Sequence, residues 1–158
     1  MMRKERSIVV DGDACPVKAE IAETGRAFGV PVVMVSSYDH RLHSSEGVQV
    51  VQIDPGRDAV DLYIANLVGK NDIVVTQDLG LATLALSKGA EVLSPRGELY
   101  TQEAIGYMLE RRHEHAKRRR AGGRTKGPKA MGSGDRERFQ QNLTKLLDPS
   151  RRSVKNSE

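Results

Sequence analysis

The feature that most restricts the fold of this chain is a regular alternation between short Val- and Ile-rich runs and longer segments with helical spacing. Five runs have the composition and the flanking turn residues of strands: Ser7–Val10, Val32–Val35, Val48–Ile53, Ile73–Thr76 and Glu91–Leu93. Several of them are apolar at nearly every position, which is typical of strands that are covered on both faces of a parallel sheet.

The segments between these runs predict helices. Val17–Phe28, Asp58–Val68 and Leu79–Lys88 are each followed by a glycine, which commonly ends a helix. A fourth helix is expected to begin near Thr101 and to continue into Arg-rich sequence. Because strands that alternate with helices form right-handed crossovers, we predict an α/β fold. It is a three-layer sandwich with a central, mainly parallel sheet of about five strands, followed by C-terminal helices.

The charge divides the chain into two unlike parts. Residues 1–110 contain 10 Lys/Arg and 16 Asp/Glu, net −6, whereas residues 111–158 contain 15 Lys/Arg and 5 Asp/Glu, net +10. We predict an α/β body over 1–110 and the end of a basic helix with a flexible linker over 111–134. An amphipathic helix is predicted over 135–147 and a disordered tail over 148–158.

The basic part of the chain favours a polyanionic partner, although a solvated tail that only keeps the protein soluble is the alternative. If the partner is nucleic acid, its phosphates would be bound by the cations of the 111–134 segment. These are Arg111, Arg112, Lys117, Arg118, Arg119, Arg120, Arg124, Lys126 and Lys129.

The C-terminal helix has an apolar stripe formed by Phe139, Leu143, Leu146 and Leu147. A short helix of this kind needs a surface to pack on. The sequence leaves two alternatives open, packing within the chain and a homodimer formed through this helix.

Composition also excludes several classes of protein. A single cysteine, Cys15, excludes a disulfide framework and a cysteine-only zinc site, and it is expected to pack rather than to react. No apolar run approaches the roughly 20 residues that span a bilayer, and the polar N-terminus does not resemble a signal peptide. We therefore expect a cytoplasmic protein without a membrane partner.

Carboxylates converge at the carboxyl ends of the predicted strands. Asp11 and Asp13 follow the first strand, Asp78 follows the fourth, and the helix after the third strand opens with Asp58 and Asp61. Ligands of open parallel sheets bind at this edge, and carboxylates that lie close together call for a hard divalent cation. We predict that these five residues bind one or two Mg²⁺ or Mn²⁺ ions.

Each acid also has a purely structural explanation. Asp11 and Asp13 could form a turn, Asp58 and Asp61 suit the N-terminal end of a helix dipole, and Asp78 could be a helix N-cap. Their arrival at one edge from separate segments favours a shared ligand.

Polar residues near this edge are predicted to contact a substrate. Four of these residues lie at the ends of predicted strands. The other two are cations close to the end of a helix or a strand, and each of them could instead be an ordinary exposed surface residue. The set is Lys18, Ser36, Ser37, Thr76, Gln77 and Arg96.

The chain resembles the YaiI/YqxD family of bacterial proteins, which is similar to PIN-like nucleases in fold and acidic site. The resemblance runs from about Ile8 to Leu147 and rests on several stretches in the same order. These are Val9–Lys18, Gly56–Asp61, Val75–Ala82, Lys88–Ala90, Ser94–Thr101 and Asp135–Phe139.

The resemblance implies roles for particular acids. It matches Asp11 to the acid at the end of the first strand, Asp58 or Asp61 to the helical acid, and Asp78 to the acid of a Thr-x-Asp element. The chain departs from the family where Ser37 stands near a position that favours Asn, and in a linker more basic than the resemblance requires.

Together these features predict a divalent-metal-dependent nuclease that acts on RNA, in preference to DNA, or on single-stranded nucleic acid. Its catalytic residues would be Asp11, Asp61 and Asp78, and a metal-activated water would attack the phosphodiester. One alternative is a haloacid-dehalogenase-like phosphatase with Asp11 as nucleophile, although Cys15 replaces the expected Thr or Val. The other is a non-catalytic, metal-containing nucleic-acid-binding protein.

Overall fold

Six strands form one sheet in the computed structural model, which describes residues 6–37, 45–54, 56, 58–124 and 130–150. The strands are β1 (Ile8–Asp11), β2 (Val32–Ser37), β3 (Val48–Ile53), β4 (Ile73–Val75), β5 (Glu91–Leu93) and β6 (Leu99–Tyr100). Their order is β3-β2-β1-β4-β5-β6. All neighbours are parallel except β6, which pairs antiparallel with β5. The predicted α/β fold with a mainly parallel sheet is confirmed, with β6 as a sixth strand.

Five helices cover the two faces of this sheet: α1 (Lys18–Phe28), α2 (Ala59–Leu67), α3 (Leu79–Ser87), α4 (Gln102–Arg120) and α5 (Ser133–Leu147). Alternate residues of β1 point into two different cores, as the pleat of a strand requires. Ile8 and Val10 pack with α1 and α5, whereas Val9 packs with α2, α3 and α4. The three predicted layers are therefore present. In the described parts of the chain, no helix is both long and apolar enough to cross a membrane.

The apolar stripe of α5 is buried in the core of its own chain. Its four apolar residues are each at most 4% exposed and pack against β1, β2 and α1. This arrangement is the first of the two alternatives that the sequence left open.

Polar contacts fix α5 to the loops at the edge of the sheet. Arg136 Nη1 donates a hydrogen bond of 2.6 Å to the carbonyl oxygen of Pro16. Asn142 donates one of 2.6 Å to the carbonyl oxygen of Gly97. Gly97 has a φ of 89°, and a Cβ there would lie 2.9 Å from the backbone of Arg138. The close approach of α5 to this turn therefore requires glycine.

The predicted tail is described only in its first three residues. Ser150 donates hydrogen bonds to the Asp148 carboxylate from its backbone N–H (3.0 Å) and from its hydroxyl (2.8 Å). The remainder of the predicted tail, residues 151–158, lies outside the described residues.

Candidate functional site

The order of the strands reverses at β1, which lies between β2 and β4. In parallel sheets a crevice opens at the carboxyl ends of the strands next to such a reversal. A cavity of about 230 Å³ occupies this position, and we call it the acid pocket. Its lining comprises Asp11, Asp13, Ser37, Asp54, Gly56, Asp58, Ala59, Val60 and Asp61.

Thr76 connects the ends of β1 and β4 at the base of the site. Its side chain is buried, with a residue exposure of 1%. The hydroxyl donates to Asp11 Oδ2 over 3.1 Å and accepts from the backbone N–H of Asp78 over 3.0 Å. The Thr76 hydroxyl therefore fixes the Asp11 carboxylate, at the end of β1, relative to Asp78, which lies beyond the end of β4.

Asp78 also has the structural role that the sequence left open. Its Oδ1 accepts a hydrogen bond of 2.8 Å from the N–H of Leu81, so that it caps the N-terminus of α3. Its negative charge nevertheless raises the pKa values of both Asp11 and Asp61. Asp78 thus caps a helix and contributes charge to the site at the same time.

Asp13 connects the end of β1 to the end of β2. Its Oδ1 accepts a hydrogen bond of 2.8 Å from the backbone N–H of Ser37 and a longer one of 3.4 Å from the Ser37 hydroxyl. These bonds orient Asp13 within the pocket wall, and they hold Ser37 in the lining where the sequence predicted a substrate contact.

A tight turn places Asp58 and Asp61 on the opposite wall. Asp58 has a φ of 64°, in the left-handed region that costs most residues roughly 1–2 kcal/mol. The turn is closed by hydrogen bonds from Ala59 N to Gly56 O (3.1 Å) and from Leu62 N to Asp58 O (2.9 Å). Unfavourable backbone conformations of this kind are concentrated at functional sites.

The carboxylates repel one another. Burial raises the pKa of Asp61 to about 6, together with the charges of Asp78, Asp11, Asp58 and Asp13. Burial also raises the pKa of Asp11, and the charges of Asp13 and Asp78 add to that effect, while the Thr76 hydrogen bond lowers it. The charges of the neighbouring acids thus disfavour ionisation of Asp11 and of Asp61.

Four of the five acids are not neutralised by a basic side chain within the part of the chain that the structure describes. None of the Lys and Arg residues there forms an ion pair with Asp11, Asp58, Asp61 or Asp78. A pocket of this charge attracts cations.

The donor set fits a hard divalent cation in chemistry, because carboxylate oxygens are the ligands that Mg²⁺ and Mn²⁺ prefer. In the arrangement of the described residues, no group of three or more His, Cys, Asp or Glu side chains could hold a metal ion. Binding one ion to several of these carboxylates would therefore require the side chains to move closer together.

The other residues predicted to contact substrate are less closely associated with the pocket. Lys18, Ser36, Gln77 and Arg96 do not belong to its lining. Ser36 is buried within β2, and Arg96 forms an ion pair of 3.2 Å with Asp135 of α5.

Asp54 is a lining residue that the sequence-based metal set does not include. It directly follows β3. Because it follows the third predicted strand, the sequence also places Asp54 at this edge, although not among the predicted metal ligands.

Cys15 is buried, and burial raises the pKa of its thiol to about 11. Cys15 packs in the core that also contains Val17 and Phe139, as the sequence predicts.

Most of the predicted nucleic-acid-binding cations lie on α4. Arg111, Arg112 and residues 117–120 are exposed within the helix, and Arg124 is exposed just beyond its end. Lys126 and Lys129 lie outside the described residues.

The family resemblance is confirmed by comparison with known proteins. A family model described as "Uncharacterized BCR, YaiI/YqxD family" matches residues 9–149. The chain belongs to the YaiI/YqxD family. The match spans both walls of the acid pocket, α4 and all of α5, so these elements belong to one family domain.

The chain is similar to proteins from several bacteria that are designated UPF0178 proteins. One from Halalkalibacterium halodurans is 49% identical over 140 residues, 89% of each chain. One from Listeria monocytogenes is 46% identical over 140 residues, 89% of this chain and 94% of the relative. One from Bacillus velezensis is 47% identical over 145 residues, which are 91% of this chain and 86% of the relative. No solved structure matches the chain.

The raised pKa of Asp61 predicts a pH-dependent loss of stability in the absence of divalent cations. Its folded-state pKa of about 6 exceeds the ordinary Asp value of 3.8. The stability contribution of protonated Asp61 is therefore full below about pH 4 and is lost as the pH rises through about 6. In EDTA at pH 7.5, Asp61→Asn should therefore raise the free energy of unfolding by about 1 kcal/mol. This value allows for the screening of a partly exposed charge by solvent. Thermal unfolding should show a Tm about 2–4 °C higher.

The matched control is Glu23→Gln, a neutralised acid on the exposed face of α1. We expect it to change the Tm by less than about 1 °C. At pH 4 the Asp61→Asn gain should disappear. An equal gain at both pH values, or a lower Tm at pH 7.5, would show that repulsion in the pocket does not destabilise the fold.

Proposed function

We propose that this chain is a divalent-metal-dependent nuclease that hydrolyses phosphodiester bonds of RNA or other single-stranded nucleic acid. The observation that carries the proposal is the acid pocket, in which Asp11, Asp13, Asp58 and Asp61 face one cavity and Asp78 adds its charge. Carboxylate oxygens gathered at one cavity are suited to a divalent cation and unsuited to a phosphate alone.

The carboxylates of Asp11, Asp61 and Asp78 would hold one or two Mg²⁺ or Mn²⁺ ions. When bound, the cation supplies positive charge that allows a phosphodiester to approach the carboxylates and lowers the pKa of water. Thr76 orients Asp11 through its hydroxyl, and the backbone of β2 orients Asp13 through Ser37. Such orienting contacts normally alter metal affinity or activity by about 10–100-fold when they are removed.

The reaction is a hydrolysis at phosphorus. The oxygen of a water molecule forms a bond to phosphorus, the bond from phosphorus to the leaving nucleoside oxygen breaks, and a proton is transferred to that oxygen. Because the pocket lies at the open edge of the sheet and has a polar lining, it would admit the sugar-phosphate backbone without requiring a particular base.

The pocket acids are expected to be essential for cleavage. Asp11→Asn keeps the size of the side chain and an oxygen that can accept the Thr76 hydrogen bond, but it removes the negative charge that would hold the cation. We expect the Mn²⁺-dependent cleavage rate of a labelled single-stranded RNA to fall about 100-fold or more. The measurement is a single-turnover gel assay on protein whose circular dichroism matches the wild type.

The matched control for this assay is Glu23→Gln, which also neutralises one acid and should retain full activity. Cleavage that persists unchanged in Asp11→Asn would refute the metal mechanism. A phosphorylated Asp11 trapped with a phosphomonoester would instead support the phosphatase. RNA binding without any Mn²⁺-dependent cleavage by the wild type would favour the non-catalytic alternative.

Thr76 provides an independent test, because its hydroxyl forms hydrogen bonds with both Asp11 and the backbone of Asp78. Thr76→Val has nearly the same shape but removes the donor to Asp11 and the acceptor for Asp78 N–H. We expect a 10–100-fold loss of cleavage with a higher Mn²⁺ requirement, whereas Thr76→Ser should stay within about threefold of the wild type. A Mn²⁺ titration of the rate measures both effects. Equal behaviour of the Val and Ser variants would show that the hydroxyl does not position the carboxylates.

A further inference from the structure

The loop that joins β1 to α1 carries two acids of the acid pocket. It begins at Asp11, the last residue of β1, continues through a 3₁₀ turn over Gly12–Ala14, and ends before Lys18, the first residue of α1. Asp13 lies within the 3₁₀ turn. The position of the Asp13 carboxylate therefore depends on how both ends of this loop are held.

On the pocket side, the start of the loop is held by the two strands next to β1. The backbone N–H of Ser37, at the end of β2, donates a hydrogen bond of 2.8 Å to Asp13 Oδ1. The hydroxyl of Thr76, directly after β4, donates one of 3.1 Å to Asp11 Oδ2. Neither contact involves the end of the loop that leads into α1.

The C-terminal helix α5 holds that other end. Arg136 Nη1 donates a hydrogen bond of 2.6 Å to the carbonyl oxygen of Pro16, 120 positions away in the sequence. The same nitrogen lies 3.4 Å from Glu20 Oε1 in the first turn of α1. Phe139, one turn later in α5, is fully buried in the core that contains Cys15. A guanidinium and an aromatic ring of α5 therefore both pack at the end of the loop.

The Arg136 guanidinium is fixed in this place by charge as well as by the Pro16 carbonyl. Glu20 is largely buried, with a side-chain exposure of 21%. Its Oε2 is buried and has no hydrogen-bond partner among the described residues. A carboxylate in such surroundings is costly unless a positive charge lies beside it. Arg136 supplies that charge, so the ion pair restrains the side chain that holds Pro16.

The loop has little freedom to absorb a displacement between Pro16 and Asp13. Only Ala14 and Cys15 separate these two residues. Ala14 belongs to the 3₁₀ turn, and Cys15 is 7% exposed in the core. The ring of Pro16 holds its own φ at about −65°. A shift of the Pro16 carbonyl is therefore transmitted to the backbone of Asp13.

We propose that Arg136 is a positioning residue of the acid pocket, which acts through the Pro16 carbonyl to hold Asp13 where it can bind a divalent cation. The inference rests on the proposed metal-dependent function. Because the carboxylates must move closer together to share one ion, a backbone that is already held in place lowers the cost of binding. The helix α5 then serves the candidate site as well as the hydrophobic core.

The test measures binding of Mn²⁺ alone to the full chain, from the electron paramagnetic resonance signal of free Mn²⁺. Arg136→Gln has a shorter, uncharged side chain that cannot hold Pro16 in the same way. We expect it to raise the Kd for Mn²⁺ about tenfold, at the lower end of the effects of lost orienting contacts.

Hydrogen exchange in EDTA gives a second readout that needs no metal. The backbone N–H of Ser37 is protected by its bond to Asp13. If Arg136 positions Asp13, this N–H should exchange at least about fivefold faster in Arg136→Gln than in the wild type.

Two other arginines provide matched controls. Arg138→Gln makes the same change two residues later in α5, where the side chain is 57% exposed and lies 3.5 Å from Asp135 of its own helix. Arg6→Gln weakens the docking of the opposite end of α5, where Arg6 donates a hydrogen bond of 2.8 Å to the carbonyl oxygen of Leu146. We expect both controls to bind Mn²⁺ within about twofold of the wild type, Arg6→Gln despite a lower Tm.

Glu20→Gln separates the ion pair from the hydrogen bond to Pro16. It removes the charge beside Arg136 but leaves the guanidinium donor, so the Kd for Mn²⁺ should stay within about threefold of the wild type. If circular dichroism shows that Arg136→Gln does not fold, Glu20→Gln/Arg136→Gln replaces it. That double variant leaves no unpaired carboxylate and should show the same tenfold loss, about as large as for the single change.

Two results would overturn the role of Arg136. One is an Arg136→Gln variant with unchanged Mn²⁺ affinity and unchanged exchange at Ser37. The other is equal weakening of Mn²⁺ binding by Arg6→Gln, which would attribute the effect to lost stability alone. The nuclease proposal fails on a different result, since a wild type that binds Mn²⁺ but cleaves no RNA would refute cleavage and leave the role of Arg136 intact.

Discussion

Burial of both faces of β1 is the interaction on which the other elements depend. Ile8, Val9 and Val10 are each at most 1% exposed, and they pack alternately against the two helical layers. Because β1 is central, its parallel neighbours β2 and β4 end at the same edge of the sheet. The next residue, Asp11, is placed where the apolar covering stops. The hydrophobic core thereby determines the position of the first carboxylate of the pocket.

Two acids of this chain show how differently a carboxylate can be accommodated. Asp72 is 2% exposed at the start of β4, where its two oxygens accept hydrogen bonds from the backbone N–H groups of Ser7 (3.0 Å) and Gly69 (2.9 Å). Asp61 is more exposed, and partial burial together with the neighbouring carboxylates raises its pKa to about 6. Asp72 serves the fold, whereas the raised pKa of Asp61 predicts that its charge opposes folding at neutral pH in the absence of metal. A costly arrangement of like charges is typical of functional sites.

Much of the fold follows from local sequence patterns. Val48–Ile53 and Glu91–Leu93 form strands with the predicted bounds, and the predicted helices are reproduced within one or two residues. β6 was not predicted, because two residues carry no periodicity. Its pairing is decided by the neighbouring β5.

The acid pocket was predictable in position but not in detail. The carboxyl ends of parallel strands share one edge, so Asp11, Asp13 and Asp61 could be grouped from the sequence alone. The contacts that orient them could not, because the bond between Thr76 and Asp11 joins residues 65 positions apart. Arg96 illustrates the same limit, since its ion pair with Asp135 depends on how α5 docks.

The most direct test of the central claim is a crystal structure of the full chain grown with Mn²⁺, with anomalous diffraction recorded to locate the metal. The account predicts an anomalous peak in the acid pocket within about 2.0–2.4 Å of carboxylate oxygens from Asp11, Asp61 and Asp78. A structure at saturating Mn²⁺ in which the pocket carries no peak, or in which these three residues share no ion, would contradict it.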